Sequence, residues 1–157
     1  MDIADIHVSY PRVTNLRLSE LPLHLGDGDG GQLTVVEGKD QVPFRIERIF
    51  TLRAPLDTIR GGHAHRRCSQ FMMCPHGMIE VICEDGIERK SFLLDRGNVA
   101  LLVPPSVWAS EIFRHDNSLL LVVCDRPYEA EDYIRDHAEF LAWRRVNKAT
   151  SAGIVTP

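Results

Sequence analysis

The stretch GGHAHRRCSQFMMCPHG (Gly61–Gly77) places two histidines one residue apart, directly after two glycines and shortly before an apolar run. Residues i and i+2 of a β-strand point to the same face, so His63 and His65 project together while Ala64 turns away. The glycines leave space and backbone freedom beside the imidazoles. If this face lines a protein interior, both rings enter one cavity; if it faces solvent, they are two polar surface side chains.

The sequence around this stretch is typical of an all-β protein. From Gln32 onward, short runs rich in Val, Ile, Leu, Phe and Thr alternate with Gly, Pro and Asp turn signals. The segment EVICEDGIERKSF (Glu80–Phe92) predicts a hairpin with Asp85 and Gly86 at its turn. GDGDGG (Gly26–Gly31) lacks the closing Glu and flanking helices of a calcium loop, which favours a turn between strands. The pattern predicts a β-sandwich or barrel.

One helix closes the chain in this interpretation. EAEDYIRDHAEFLAWRRV (129–146) carries acidic residues at its start, Arg144 and Arg145 at its end, and apolar positions at helical spacing. We therefore expect an N-terminal segment over 1–25, one β-domain with this helix over 26–145, and a flexible tail over 146–157.

Composition and charge exclude several classes of function. The chain has 157 residues and a formal net charge of −4, which argues against general nucleic-acid binding because that needs a basic surface. No apolar run reaches the roughly 18 residues that a membrane span needs, and the first residues lack the pattern of a secretory signal. The cysteines form no CxxC pair, and most lie in apolar context. We expect a cytoplasmic, reduced protein with buried thiols.

The side chains around the histidine pair disfavour a metal. The spacing has the outline of the first cupin motif, but Gln70 stands where that motif has a carboxylate, and Ala109 stands where the second motif has a histidine. A metallocupin needs about four protein ligands, so we expect no metal and no other cofactor. An imidazole can instead move a proton near neutral pH. Beside Arg60, which would offset an enolate or hold a phosphate, this suits proton abstraction next to a carbonyl.

Three segments together resemble the sugar-nucleotide 3,4-ketoisomerases, the WxcM-like cupins that act on dTDP-4-keto-6-deoxyglucose. They are RGGHAHRRCSQFMMCPHG (60–77), LLVPPSVW (101–108) and RPYEAEDYIRDHAEF (126–140). Typical members carry RGxHAH, a Gln five residues after the second His, a PxxWH turn and PYDExDYIRxYxxF. The resemblance implies a cupin-type jelly roll with one C-terminal helix, homodimeric and metal-free. It also implies an enzyme that moves a ketone from C4 to C3 of the hexose through an enediol.

The resemblance also implies roles for individual residues. Either His63 or His65 is the base that takes the C3 proton, and the same histidine, the other one or a water returns a proton at C4. The residues implied in substrate binding are Arg48 (diphosphate), Arg60, Gln70 (a histidine tautomer or a sugar hydroxyl) and Trp108 (a wall of the sugar pocket). Simpler interpretations stay open: a solvated strand residue for Arg48, a polar strand residue for Gln70 and a core residue for Trp108.

Four positions depart from the family pattern. Gly30 replaces an arginine, Phe50 a tyrosine, Ala109 a histidine and Arg126 an aspartate. These departures leave a second hypothesis open, a cupin that binds a sugar nucleotide or another carbohydrate without turning it over. The partner is a nucleotide sugar in the leading hypothesis. The N-terminal segment is apolar enough to cross onto a second subunit, so we expect a homodimer.

Overall fold

A computed structural model describes residues 11–152, and the side chains of residues 11–147. The first ten residues of the predicted exchanging segment and the last five of the predicted tail lie outside this part. The described residues form one α-helix, α1 (His137–Ala152), and twelve strands. The strands are β1 (Leu18–Glu20), β2 (Leu23–Leu25), β3 (Gln32–Thr34), β4 (Arg48–Ala54), β5 (Ile59–His65), β6 (Gln70–His76), β7 (Ile79–Glu84), β8 (Arg89–Leu94), β9 (Val99–Val103), β10 (Trp108–Phe113), β11 (Ser118–Cys124) and β12 (Tyr133–Ile134).

Two five-stranded antiparallel sheets make up the domain. Their strand orders are β1-β9-β6-β11-β4 and β12-β5-β10-β7-β8, and the main apolar core draws residues from both sheets. The predicted cupin-type jelly-roll sandwich with one C-terminal helix is therefore confirmed. The strands β2 and β3 form a separate hairpin around Gly26–Gly31, as predicted for that turn. The hairpin of β7 and β8 turns at Asp85 and Gly86, also as predicted.

Side-chain alternation decides which residues face the space between the sheets. In β7 the buried positions are Ile79, Val81 and Cys83, and in β10 they include Ala109 and Glu111. Period-two burial is what a strand with one covered face requires. One of the inward positions of β10 therefore carries a carboxyl group.

The C-terminal helix begins later than predicted. Residues 129–136, expected as its first turns, form a short 3₁₀ turn and then β12, which pairs with the end of β5. Tertiary contacts override local helix propensity here, because pairing buries Ile134 against Ala64. The helix starts after Asp136, whose Oδ1 accepts the backbone N–H of Glu139 at 2.8 Å, an N-cap contact. In the part of the chain that the structure describes, no helix is both long and apolar enough to cross a bilayer.

All four cysteines are buried and reduced. Cys74 and Cys124 lie in the first sheet, Cys83 lies in the second, and Cys68 lies in the connection between β5 and β6. The apolar context of Cys74, Cys83 and Cys124 in the sequence predicted this burial, and it is confirmed.

Candidate active site

A β-bulge in β5 directs the histidine pair. Gly61 and Gly62 adopt φ values of 71° and 69°, a left-handed conformation that favours glycine. On β10, Ala109 pairs with His63 and Ser110 pairs with Gly61, so Gly62 is the extra residue of the bulge. The two rings come together after it, with their centroids 5.1 Å apart.

The first histidine lines a cavity of about 210 Å³ between the two sheets. Part of the wall is apolar and comes mainly from β4, β6 and β11. The polar residues that line the cavity are Arg60, His63, Gln70, Glu111, Tyr133 and Arg135. Three of the residues proposed from the sequence, Arg60, His63 and Gln70, therefore meet at one site. A concave space with a few convergent polar groups is the usual form of a small-molecule site.

The protonation of His63 is set by its surroundings. Burial, followed by the nearby His65, lowers the pKa of His63 to about 4. A hydrogen bond to the backbone of Gly61 acts in the opposite direction, and Arg135 adds to the lowering. The imidazole is therefore neutral at physiological pH, and one ring nitrogen has a free lone pair that can accept a proton.

Asp132 fixes the second histidine, His65, through a buried hydrogen bond. Its Nδ1 lies 2.9 Å from Asp132 Oδ2, and both residues are buried. Burial acts to raise the pKa of Asp132, but hydrogen bonds from His65 and from the backbone N–H groups of Arg67 and Cys68 bring it below its ordinary value. Asp132 thus stays an acceptor, so neutral His65 carries its proton on Nδ1. Among residues 11–147, the Nε2 atom of His65 is buried and has no hydrogen-bond partner.

Three arginines surround this region. Arg48 Nη2 lies 3.5 Å from Cys124 Sγ, and its guanidinium stacks 5.8 Å from the centroid of the Tyr128 ring. The Arg48 Nε atom is buried and has no partner among residues 11–147. Arg60 and Arg135 line the cavity itself, and Arg135 lies 4.1 Å from the centroid of the Tyr133 ring. Guanidinium groups gathered in this way can hold an anionic group through charge-assisted hydrogen bonds.

The structure does not bring Trp108 to the cavity. Trp108 lies on the outer face of β10, because the next residue, Ala109, points inward. Its ring packs against α1, 5.0 Å from His137 and 5.5 Å from Phe140 between ring centroids. The placement matches the core interpretation that the sequence left open, and Trp108 is not among the residues that line this cavity.

Sequence reasoning missed several residues of the site: Glu111, Asp132, Tyr133 and Arg135. Tyr133 and Arg135 have the same i, i+2 spacing as the histidine pair, but the acidic and apolar pattern of this segment predicts a helix. Glu111 could have been found from strand alternation. It lies on the same face of its strand as the apolar residues Ala109 and Phe113, so a charged residue falls at an inward position.

Glu111 has an unusual environment for a carboxyl group. It is 5% exposed, and its carboxylate lies against the bare Cα of Gly61, where a Cβ would overlap Oε2. Burial raises the pKa of Glu111 to about 7, against the opposing attraction of Arg60. A carboxyl group that is partly protonated near neutral pH can donate as well as accept a proton.

This raised pKa predicts a pH-dependent stability. Glu111 keeps its proton up to about pH 7 in the folded protein, but in the unfolded chain it loses the proton near its ordinary pKa of 4.5. Its contribution to the free energy of unfolding is therefore fully present below pH 4.5 and is lost as the pH rises through about 7. The glutamine of Glu111→Gln does not titrate. From about pH 4 to pH 9, the free energy of unfolding of the native protein should therefore fall by on the order of 3 kcal/mol relative to that of the variant. Urea unfolding of both proteins across this range measures the difference; parallel pH dependences would contradict it.

The four departures from the family pattern lie in different places. Phe50 lines the cavity, and Ala109 is buried beside His63 in the strand pairing. Gly30 is exposed in the turn between β2 and β3, and Arg126 forms an ion pair with Glu129 at 2.9 Å. Only the first two are therefore close to the histidines in this chain.

One buried group carries donors of the kind that bind metals. The side chains of His65, Cys68 and Asp132 place one potential ligand atom each within 4.8 Å of the others. The carboxylate of Asp132 already accepts N–H groups from His65, Arg67 and Cys68. Through these contacts the cluster orients His65. That the enzyme needs no metal stays a prediction.

Comparison with known proteins assigns the family. The FdtA family model, described as WxcM-like, C-terminal, matches residues 14–145. A TDP-4-oxo-6-deoxy-alpha-D-glucose-3,4-oxoisomerase of Aneurinibacillus thermoaerophilus is 32% identical over 114 residues, which are 70% of this chain and 80% of that protein.

Solved structures agree with this assignment. A 3,4-ketoisomerase from Helicobacter canadensis is 28% identical with a TM-score of 0.78, covering 83% of this chain and 98% of its own. The sugar 3,4-ketoisomerase QdtA of Thermoanaerobacterium thermosaccharolyticum, in complex with TDP, is 26% identical with a TM-score of 0.80, covering 87% and 98%. The chain therefore belongs to the WxcM-like FdtA family, and it is a sugar-nucleotide 3,4-ketoisomerase.

Proposed function

We propose that this enzyme moves the keto group between C4 and C3 of a nucleotide-linked 4-keto-6-deoxyhexose, with TDP-4-keto-6-deoxyglucose as the first candidate. The observation that carries the proposal is a neutral histidine, His63, on the wall of a small cavity surrounded by arginines. The relatives add support. A histidine-to-asparagine variant of the Thermoanaerobacterium QdtA, 26% identical to this chain, is known in complex with TDP-4-keto-6-deoxyglucose.

In this mechanism His63 is the base. The C3 hydrogen of a 4-ketohexose is acidic because the neighbouring carbonyl takes up the negative charge as the C–H bond breaks. His63 fits this step better than His65, because His63 lines the cavity while the lone pair of His65 is on Nε2, which is buried away from it. Return of a proton to C4 of the enediol then completes the isomerisation. His65 acts as the positioning partner that packs against His63 and Tyr133.

The remaining polar groups bind the substrate. Arg60 and Arg135 stabilise the negative charge that develops on the enediolate oxygens. Gln70, which is buried on the cavity wall, bonds a sugar hydroxyl. Arg48 binds the diphosphate through its guanidinium group, beside the exposed ring of Tyr128.

Proton NMR of TDP-4-keto-6-deoxyglucose with the enzyme in deuterated water tests this function. We expect loss of the C3 proton signal and the appearance of 3-keto sugar resonances. An unchanged spectrum in which line broadening shows that the nucleotide binds would favour the non-catalytic carbohydrate-binding function. An unchanged spectrum without broadening would exclude this substrate.

We also propose a homodimer that covers the outer face of the first sheet. An apolar groove of about 540 Å³ lies there, and Ile49, which lines it, is 59% exposed. Exposed apolar surface of this kind is typical of an interface. Ile49→Asp is expected to sediment as a monomer at micromolar concentration, while Ile87→Asp, at the β7–β8 turn, sediments as the native dimer. A monomeric native protein would contradict the proposal.

A further inference from the structure

A carboxyl group on the cavity wall has no role in the mechanism described so far. Among the described residues that line the cavity, Glu111 is the only acid. It is buried at an inward position of β10, two residues beyond Ala109. Two features of the backbone make room for it: the bulge at Gly62, and the bare Cα of Gly61 against its Oε2 atom.

The charged and titratable groups around Glu111 come from three elements. Arg60 and His63 approach from β5, Cys83 approaches from β7, and Arg135 lies beyond β12. Arg60 is the cation whose charge acts on Glu111, while Cys83 is buried and uncharged because its pKa is raised by burial. Of the cavity-lining residues that the structure describes, the Glu111 carboxyl group is therefore the one placed to both give and take a proton near neutral pH.

The proposed reaction needs such a group. Moving a ketone from C4 to C3 exchanges protons at two carbons and also at two oxygens: O4 must gain a proton, and O3 must lose one. A histidine that handles the carbon protons leaves the oxygen protons unassigned. The two arginines reduce the charge that develops on O4 but cannot give it a proton. An acid beside O4 can do so as the C3–H bond breaks, which lowers the barrier further.

We infer that Glu111 is a catalytic acid–base residue that moves the proton between the two sugar oxygens, an inference that rests on the proposed function. As His63 takes the C3 proton, protonated Glu111 gives its proton to O4, so the C4 carbonyl becomes one end of a neutral enediol. When a proton returns to C4, the Glu111 carboxylate takes the O3 proton and C3 becomes the ketone. Histidine and glutamate both end in their starting states, so no other reactant is needed.

Steady-state kinetics of variants with TDP-4-keto-6-deoxyglucose test the inference. We expect Glu111→Gln to lower kcat about 100-fold, within the range for loss of one acid–base group, with KM little changed. In the native enzyme kcat/KM falls as the pH rises through the pKa of Glu111, and this limb is absent in the glutamine variant. Glu111→Asp recovers part of the lost kcat. The matched control Glu80→Gln, an outward position of the adjacent strand paired with Arg114, keeps native kinetics.

A pair of glycine variants provides a second test. Gly61→Ala and Gly62→Ala both place a side chain at positive φ. The Cβ at Gly61 would overlap the Glu111 carboxylate and lie 2.9 Å from the Ala109 carbonyl oxygen, whereas the Cβ at Gly62 would meet neither. If both fold, we expect a much larger loss of kcat in Gly61→Ala.

The outcomes distinguish a failure of the proposed function from a failure of the inference about Glu111. A native enzyme that exchanges no C3 proton overturns the proposed function, and the inference falls with it. A native enzyme that isomerises, together with a Glu111→Gln variant that keeps kcat and the same alkaline limb, overturns the inference alone. If Glu111→Gln lowers stability or raises KM without changing kcat, Glu111 has a structural role and the inference is wrong.

Discussion

Asparagine in place of His63 is expected to abolish isomerisation while the protein still binds TDP-4-keto-6-deoxyglucose. An amide cannot accept a proton at physiological pH, so the C3–H bond loses its base. We expect kcat to fall roughly 10⁴-fold, the upper end of the range for losing a general base. Deuterium exchange at C3, followed by proton NMR, should fall by the same factor. The substrate dissociation constant should change little, because Arg48, the residue that we propose binds the diphosphate, is intact.

His137→Asn is the matched control for this substitution. His137 lies on α1 outside the cavity, where its Nε2 contacts Glu84 at 3.0 Å. We expect native turnover for this variant. A His63→Asn protein that still exchanges the C3 proton at the native rate would show that another group is the base.

The native enzyme offers a further check on His63. Because its pKa in the free protein is about 4, the base stays neutral over most of the accessible pH range. We therefore expect kcat/KM to remain flat on the acid side until the pH approaches about 4, where proton binding removes the lone pair. An acid limb centred near the ordinary histidine pKa of about 6.5 would contradict the burial of this ring.

Asparagine in place of Asp132 is expected to damage both stability and turnover. Oδ1 accepts the N–H of Arg67 at 2.7 Å, while Oδ2 accepts from His65 and from the N–H of Cys68. An amide replaces one of these oxygens by an NH₂ group, so at least one buried N–H donor loses its acceptor. That loss costs about 1–3 kcal/mol of the free energy of unfolding. If the NH₂ group faces His65, the ring must change its tautomer, and kcat falls.

Urea unfolding and kcat of Asp132→Asn measure both effects. Its neighbour Glu131 provides the control, because its side chain is 76% exposed. We expect Glu131→Gln to change the free energy of unfolding by less than about 0.5 kcal/mol, as is usual for surface substitutions. If Asp132→Asn unfolds and turns over like this control, the buried carboxylate does not position His65.

Much of the fold and part of the site could be predicted from the sequence. Short runs of strand-forming residues between turn signals predicted the sheets, and the HAH spacing predicted that His63 and His65 share a face. The bulge at Gly62 could not be predicted, because it depends on the register with β10. That register also decides that Ala109 and Glu111 point inward while Trp108 points out to the helix.

The Asp132–Arg135 segment shows why a local pattern can mislead. Its acidic start and apolar spacing fit the first turns of a helix. The partners of Asp132, however, lie more than 60 residues earlier in the chain, at His65 and Arg67. Contacts at that sequence separation hold the backbone extended, and no local window contains them.

Because every thiol is buried, the rate of thiol labelling reports how often the domain opens. A thiol reagent in native buffer can reach Cys83 in one sheet, or Cys74 and Cys124 in the other, only when the strands around them separate. Comparing the labelling rates of the two sheets would show whether the sandwich opens as one cooperative unit or one sheet at a time. Bound substrate should slow the labelling of Cys124, because Arg48 lies directly against its sulfur.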